Sequence, residues 1–308
     1  MYVIHGHKHV PPEFRGSAVA IGNFDGVHRG HRALIAEAKA QGRARGALSS
    51  ALVFEPHPRE FFQPDEQQFR LTPLTRKLAL FEELGLDVAF VEPFNAELAA
   101  IPAQGFIERV LVAGLGVGHV VVGYDFYFGN KRGGNPELMV RAGEELGFGV
   151  TVMPPVAENG EVFSSSAVRL HLAQGDVKRA AYMLDEPWRV RGRVVGGAKR
   201  GTNLGFPTAN VPLPKGTTLG HGIYAVRVHF SGTVHDGAAY LGTRPTFDDG
   251  MPVLEVFLFD FTGDLYGRDV EVEFIDFVRG DRRFGSVEEL VAQMDKDIAK
   301  ARAILASV

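Results

Sequence analysis

Two rules of apolar spacing divide the chain. From the N-terminus to about Leu184, short apolar runs alternate with stretches whose apolar residues recur at helical spacing. SAVAIG, ALSSALVF, DVAFVE, HVVVG and FGVTVMP are the strand-like runs, with SAVAIG the first. HRALIAEAKAQG, LTRKLALFEELG, FIERVLVAGLG and PELMVRAGEELG are the helical ones. This alternation predicts a parallel sheet with helices on its faces. In such sheets ligands bind beyond the carboxyl ends of the strands.

After two short helical stretches, SSAVRLHLAQ and DVKRAAYML, the spacing changes near Asp185 to Pro187. WRVRGRVV, GIYAVRVHF, GAAYLG, PVLEVFLFD and VEVEFIDFV then follow one another with Gly/Pro turns between them. In GIYAVRVHF, Tyr224, Val226, Val228 and Phe230 share one face, the period of a half-buried strand. Strands this close together predict a small antiparallel barrel or sandwich. The chain closes on a helix. Ser286 and Glu289 form its capping box, and Val287, Leu290, Met294, Ile298, Ala301 and Leu305 form one apolar stripe. The expected domains are residues 1–186 and 187–308.

Composition narrows the function classes. A net charge of −4 leaves no basic footprint for nucleic acid or an anionic membrane. No run approaches the roughly 20 apolar residues of a membrane helix, and MYVIHGHKHV has no apolar core of signal-peptide length. The expectation is a cytoplasmic protein without nucleic-acid or membrane partners. The absence of cysteine excludes disulfides, thiolate zinc sites and cysteine nucleophiles. The 37 glycines gather in loops such as VVGGAKRG and GNKRGGN.

IGNFDGVHRGH, Ile21 to His31, joins the run SAVAIG to the helix after it, at the expected ligand edge. A helix mouth there offers free N–H groups and a positive dipole end, and Gly22, Gly26 and Gly30 let an anion approach the backbone. His28 and His31 can donate to phosphate oxygens as transition-state charge builds. A metal site would need a third ligand, for which Asp25 is the neighbour at hand; two polar residues on a first turn is the plainest alternative. FEPHPREFF and GYDFYFGNKRGGN fall at the same edge, the latter bringing Lys131 and Arg132 as a mobile basic loop suited to polyphosphate. SSSAVR, Ser164 to Arg169, puts hydroxyls at a helix start and an arginine one turn in.

VVGGAKRGTNLGFPTANV, Val194 to Val211, is a second glycine-rich loop, without the G-x-x-x-x-G-K-[ST] of a P-loop. Gly196, Gly197, Gly201 and Gly205 allow backbone approach, Lys199 and Arg200 supply charge, and Thr208 and Asn210 supply neutral oxygens suited to Mg²⁺. A β-hairpin rich in turn residues is the structural alternative.

IGNFDGVHRGH, GYDFYFG and SSSAVR resemble the adenylyltransferase module of the bifunctional bacterial riboflavin kinase/FAD synthetases. LGFPTAN, YLGTRPTF, LEVFLFD and LYGRDVEVEF resemble its riboflavin kinase module, in the same order, so the likeness covers nearly the whole chain. The resemblance implies a nucleotidylyltransferase-like, Rossmann-type parallel sheet, then a six-stranded barrel with the terminal helix beside it. It implies two reactions: riboflavin with ATP giving FMN in the second half, and FMN with ATP giving FAD and pyrophosphate in the first. In the first half, His28, His31 and Arg169 would stabilise charge, with Mg²⁺ assisting. Gly22, Asn23, Phe24, Asp25, His57, Asp125, Ser164 and Ser165 would bind nucleotide. In the second half, Gly197, Lys199, Arg200 and Gly201 would bind nucleotide, Thr208 and Asn210 would hold the metal, and Glu255 would be the catalytic base. Seen without the resemblance, Glu255 reads equally as a solvated strand residue. The chain departs from the family pattern at Thr202-Asn203, where many members have Arg-Thr, and at Ser166, often Thr. A single-activity enzyme and a flavin-binding sensor are the rival readings; a sensor would have no use for a base or metal pair.

Overall fold

The computed structural model describes residues 1–66, 69–196, 206–214, 216–242 and 253–308. Its contacts divide the chain into two units, Met1–Ser165 and Ser166–Val308.

The first unit is a six-stranded parallel sheet in the order β1-β4-β3-β2-β5-β6. Its strands are β1 (Tyr2–His5), β2 (Ala18–Ile21), β3 (Ser49–Glu55), β4 (Val88–Pro93), β5 (His119–Gly123) and β6 (Gly149–Met153). Its helices are α1 (Arg29–Arg45), α2 (Pro58–Phe62), α3 (Leu74–Glu83), α4 (Ala96–Ala100), α5 (Ala103–Gly105) and α6 (Pro136–Leu146), and a short hairpin, β7 (Ala157–Glu158) and β8 (Glu161–Val162), precedes α7 (Ser165–Ala173). The central strands β2, β3, β4 and β5 read as largely apolar runs because both faces are buried, unlike the edge strands β1 and β6. Val19, Ile21, Leu52, Val88 and Phe90 pack into one layer, while Ala20, Ala51, Val53, Ala89 and Val91 pack into the other.

Two elements differ from the sequence expectation. SAVAIG is the second strand, not the first: β1 precedes it at the sheet edge. There Tyr2 and Val3 stay exposed, and the apolar run is only the three residues Tyr2 to Ile4 before His5. Phe106–Leu115 is helical but bonds in π rather than α register; Arg15 Nη1 and Nη2 donate to the carbonyls of Gly114 and Ala113 at its end (2.7 and 3.0 Å).

Chain direction across the sheet reverses at β2. From there the chain runs outward through β3 and β4, then returns to β5 and β6 on β2's other side. That reversal opens a crevice at the carboxyl end of β2. IGNFDGVHRGH lies there.

The second unit contains α8 (Val177–Leu184), packed on β14. Its sheet has the order β10-β13-β12-β11-β14-β9, antiparallel throughout. The strands are β9 (Arg189–Arg193), β10 (Ala209–Pro212), β11 (Gly222–Phe230), β12 (Thr233–Gly242), β13 (Val253–Leu258) and β14 (Asp269–Arg279). Val195 N–H donates to the Asn210 carbonyl at 2.9 Å, linking the chain beyond β9 to β10 and nearly closing the barrel. Tyr224, Val226, Val228 and Phe230 of β11 are all buried, as the period-two expectation has it, although Ala225 between them is buried too.

The last helix, α9 (Val287–Leu305), is capped by Ser286, whose hydroxyl accepts from Glu289 N–H at 3.2 Å. The Glu289 carboxylate reaches Gly285 N–H at 3.0 Å, one residue before the position a capping box requires. Ala301 and Leu305 are buried as the stripe predicts, but Val287 is exposed and Asp297 is buried. Asp297 takes a forked pair from Arg279 of β14, Nε to Oδ1 at 2.9 Å and Nη2 to Oδ2 at 2.8 Å.

Breaking a buried ion pair from one side costs about 3–5 kcal/mol, whereas replacing both partners by apolar groups is often neutral. Arg279 is partly exposed, so Asp297→Ala should lower stability by about 3 kcal/mol, the low end of that range. Trp188, the chain's single tryptophan, is buried in the second unit and reports its unfolding by fluorescence. Urea unfolding followed there should shift for Asp297→Ala and largely recover in Arg279→Met/Asp297→Leu. An unshifted midpoint in the single variant would show that the clamp carries no stability.

Candidate active site

The loop from Gly22 to Val27 leaves β2 and turns sharply into α1. Phe24 and Val27 adopt positive φ, 49° and 44°, which is costly for residues with a Cβ. Other segments hold it there. The buried Asp25 carboxylate accepts from Thr72 N–H (3.1 Å) and Leu71 N–H (3.3 Å), and the Ser165 hydroxyl donates to the Asp25 carbonyl at 2.8 Å. The ammonium of Lys77, itself 4% exposed, donates to the Asn23 carbonyl at 2.6 Å.

His28 is the N-cap of α1: its Nδ1 accepts from His31 N–H at 3.4 Å. A neutral imidazole that accepts at Nδ1 carries its proton on Nε2, so capping orients His28 as an Nε2 donor. His57 repeats the arrangement at α2, where its Nδ1 accepts from Arg59 N–H at 3.2 Å. The rings of His28 and His31 stack with centroids 3.6 Å apart. Gly30 makes room for this stack, since a Cβ there would come within 3.1 Å of the His28 ring and of the Phe163 carbonyl. The space beside Gly22 is likewise taken by the Phe24 ring. At these two positions the missing side chain accommodates the protein's own rings.

Burial lowers the His28 pKa from its ordinary 6.5 to about 4. His57 falls to about 4 chiefly through burial, which prevails over the opposing Asp25 and Glu60 charges; Lys77 and Arg70 add smaller pushes in the same direction as burial. His31 is pushed well down by burial, by the neighbouring His28 and by Lys77. All three imidazoles are therefore neutral hydrogen-bonding groups near neutral pH. Near His57, Arg70 Nη1 donates to both Glu55 oxygens (2.9 and 3.0 Å), and Arg70 also pairs with Glu60 of α2.

The remaining expected residues distribute as follows. Asn23 and Asp125 are exposed on loops after β2 and β5, and Ser164 immediately precedes α7. Phe24 is fully buried against Phe81 and tilted on His31, so its ring supports the histidine from within the core. Arg169 lies one turn into α7, in the second unit. Lys131 and Arg132 both have positive φ in a turn tied by Phe128–Gly134 backbone bonds and by Asn130 N–H to the Ile101 carbonyl (2.8 Å). Arg132 lies over the Tyr127 ring, so the basic loop is anchored at both its base and its tip. Among the described residues no group of three or more His, Cys, Asp and Glu is arranged to hold a metal ion, which leaves no support for the His28–His31–Asp25 metal alternative.

In the second unit, Asn210 of β10 pairs in register with Glu255 of β13, and Glu255 with Tyr240 of β12. Registered partners share a face. Thr208 lies two positions before Asn210, immediately ahead of β10. Gly197, Lys199, Arg200, Gly201 and the Thr202-Asn203 departure lie outside the described residues.

Sequence reading missed Lys77, Arg70 and Glu55. A signal for Lys77 existed: Leu74, Lys77, Leu78 and Phe81 stand at i, i+3, i+4 and i+7, which puts a lysine on the apolar stripe of α3. A lysine there needs a buried partner.

Comparison with known proteins identifies the family. The FAD synthetase family matches residues 10–167 and the riboflavin kinase family residues 184–305. The chain belongs to the FAD synthetase family, with a riboflavin kinase region following. It is 41% identical over 307 residues to a bifunctional riboflavin kinase/FMN adenylyltransferase of Pseudomonas fluorescens, covering 99% of this chain and 98% of that one. The protein of the same name from Escherichia coli K12 is 42% identical over 300 residues, covering 97% and 95%. A crystal structure from Streptococcus pneumoniae, described as a macrolide-efflux protein, superposes with a TM-score of 0.85 at 28% identity, covering 96% of this chain and 97% of that one. Among the described residues no helix is long and apolar enough to cross a membrane.

The neutral histidines carry a pH dependence. Between pH 6.5 and about 4 the unfolded chain protonates imidazoles that the folded site keeps neutral. The unfolded state then binds more protons, so stability rises with pH through this window and falls on acidification. Hydrogen-exchange protection of β2 and α1 amides, corrected for intrinsic rates, should be lower at pH 5 than at pH 7. The difference should shrink in His28→Gln. Equal protection at both pH values would mean these histidines are not held neutral.

Proposed function

We infer that the chain is a bifunctional flavin-cofactor enzyme, phosphorylating riboflavin to FMN in residues 187–308 and adenylylating FMN to FAD in residues 1–186. The observation carrying the second reaction is the pair of capping imidazoles, His28 and His57, with Nδ1 occupied and Nε2–H available beyond the carboxyl ends of β2 and β3. In that step an FMN phosphate oxygen forms a bond to the α-phosphorus of ATP, the bond from α-phosphorus to the bridging oxygen breaks, and pyrophosphate leaves. His28, His31 and Arg169 stabilise the charge that gathers on the phosphoryl oxygens. Asn23, Asp125, Ser164 and Ser165 bind nucleotide around them. Exposed Phe62, Tyr124 and Tyr127, on segments following β3 and β5, offer ring faces to a flavin.

In the kinase half, the registered row Asn210–Glu255–Tyr240 supports the reading. Glu255 accepts the proton of the ribityl 5′-hydroxyl as its oxygen attacks the γ-phosphorus, and ADP departs. Thr208 and Asn210 present neutral oxygens beside that carboxylate, a donor set that fits a hard cation such as Mg²⁺. When bound, Mg²⁺ would neutralise phosphate charge. Gly197, Lys199, Arg200 and Gly201 belong to the same nucleotide site in this reading. The enzyme works in the cytoplasm on riboflavin, FMN and ATP, with no nucleic-acid or membrane partner.

Incubation with riboflavin, ATP and Mg²⁺, followed by separation of the flavins, should yield both FMN and FAD. His28→Ala should lower FAD formation from supplied FMN about 10²–10³-fold, the usual loss for one preorganised donor, and leave FMN formation nearly intact. Equal loss of both activities would rule out two separate sites.

Glu255→Gln keeps the side chain's shape and removes its proton acceptor. Riboflavin kinase kcat should fall about 10²–10⁴-fold with riboflavin binding little changed, while FAD formation from FMN persists. Normal kinase turnover in this variant would remove Glu255 from the mechanism.

A further inference from the structure

We propose that Lys77 is a positioning residue for adenylyl transfer: its buried ammonium, bonded to the Asn23 carbonyl, sets the Gly22–Val27 loop and thereby the donor geometry of His28 and His31.

Lysines are almost never fully buried unless paired, yet Lys77 is 4% exposed, and its bond at 2.6 Å goes to a main-chain oxygen rather than a carboxylate. That oxygen belongs to the residue before Phe24, the first of the loop's two strained positions. The next residue, Asp25, is held by amides of the Leu71–Thr72 segment that leads directly into α3. α3 thus grips the loop on both sides of Phe24, at Asn23 by its own side chain and at Asp25 by the segment before it. The loop in turn ends in His28, the cap of α1. A shift at Asn23 is transmitted to the imidazoles because Phe24, between them in sequence, packs against the His31 ring.

The charge adds a second, separable effect. Around Lys77 stand Asp25, Glu55 and Glu60 as anions, Arg70 as a cation, and the imidazoles His31 and His57. Burial lowers the Lys77 pKa while the three carboxylates oppose that shift. As a cation it disfavours protonation of His31 and His57. Removing the charge raises the pKa of those two groups, so the acid limb of the adenylyltransferase pH profile moves to higher pH. A purely structural lysine would leave that limb in place.

The proposal rests on the adenylyl-transfer reading, whose own failure would appear as no FAD formation by the unaltered chain. Given that activity, the test uses full-length Lys77→Met and Lys77→Gln, assayed for FAD formation from FMN across pH. Riboflavin phosphorylation by the same chain serves as a control. Lys77→Met should lose about 10²-fold in kcat, the scale of an ångström-level misplacement, with smaller changes in KM and an acid limb at higher pH. Lys77→Gln retains a donor for Asn23 but no charge. It should regain part of kcat yet keep the displaced acid limb, and it gives the reading if Lys77→Met fails to fold. Unchanged kcat in a folded variant, or a loss of thermal stability with an unshifted acid limb, overturns the proposal.

Discussion

The first unit depends on holding one strained loop in place. Between β2 and α1 the chain must turn from a fully buried strand into a helix whose mouth faces the ligand crevice. It does so with Phe24 and Val27 at positive φ. Such conformations persist only where the surroundings over-determine them. Here the ties come from far along the sequence: Leu71, Thr72 and Lys77 around α3, and Ser165 at the start of α7. Each meets a polar group of Asn23 or Asp25. Without them the loop would relax, and the capping histidine would lose its orientation.

That constraint explains why both imidazoles at the sheet edge are neutral and directional. Burial that positions a ring also removes the water that would stabilise its cation. The same event therefore fixes His28 geometrically and lowers its pKa to about 4. Capping then decides the tautomer, because Nδ1 is taken by a backbone N–H in both His28 and His57. Stacking His28 on His31 at 3.6 Å is tolerable for neutral rings and would be costly for two cations. Donor geometry is what such a site supplies at neutral pH.

Periodicity made most of the fold legible. Strands buried on both faces and helices with a clear stripe stand out in one dimension, as does the switch to period two beyond Pro187. The short exposed strand β1 did not, because its apolar run, Tyr2 to Ile4, is only three residues long and ends at His5. Nor did β10, four residues hidden in a stretch whose glycines and prolines read as a loop. In the site, motif residues such as His28, Asn210 and Glu255 were visible because their neighbours are distinctive. Lys77, Arg70 and Glu55 were not, since their roles come from contacts across 10 to 54 residues of chain that local spacing does not encode. Phe24 shows the converse: it was visible in the motif, but its side chain serves the core.

The two halves differ in chemistry as their nucleophiles require. A phosphate monoester, with a second pKa of about 6, is already an anion at neutral pH, so the group attacking the α-phosphorus needs no base. The first site accordingly commits its buried carboxylate, Asp25, to the amides of Leu71 and Thr72 and surrounds the crevice with neutral donors. A hydroxyl nucleophile must lose a proton as it attacks, and the proposed acceptor in the second unit is Glu255, in register between Asn210 and Tyr240. The sheet types follow the same division. A parallel sheet brings strand ends and helix mouths to one edge, which suits donors aimed at a polyphosphate. An antiparallel barrel instead lays side chains from adjacent strands side by side, which suits a base placed beside oxygen ligands.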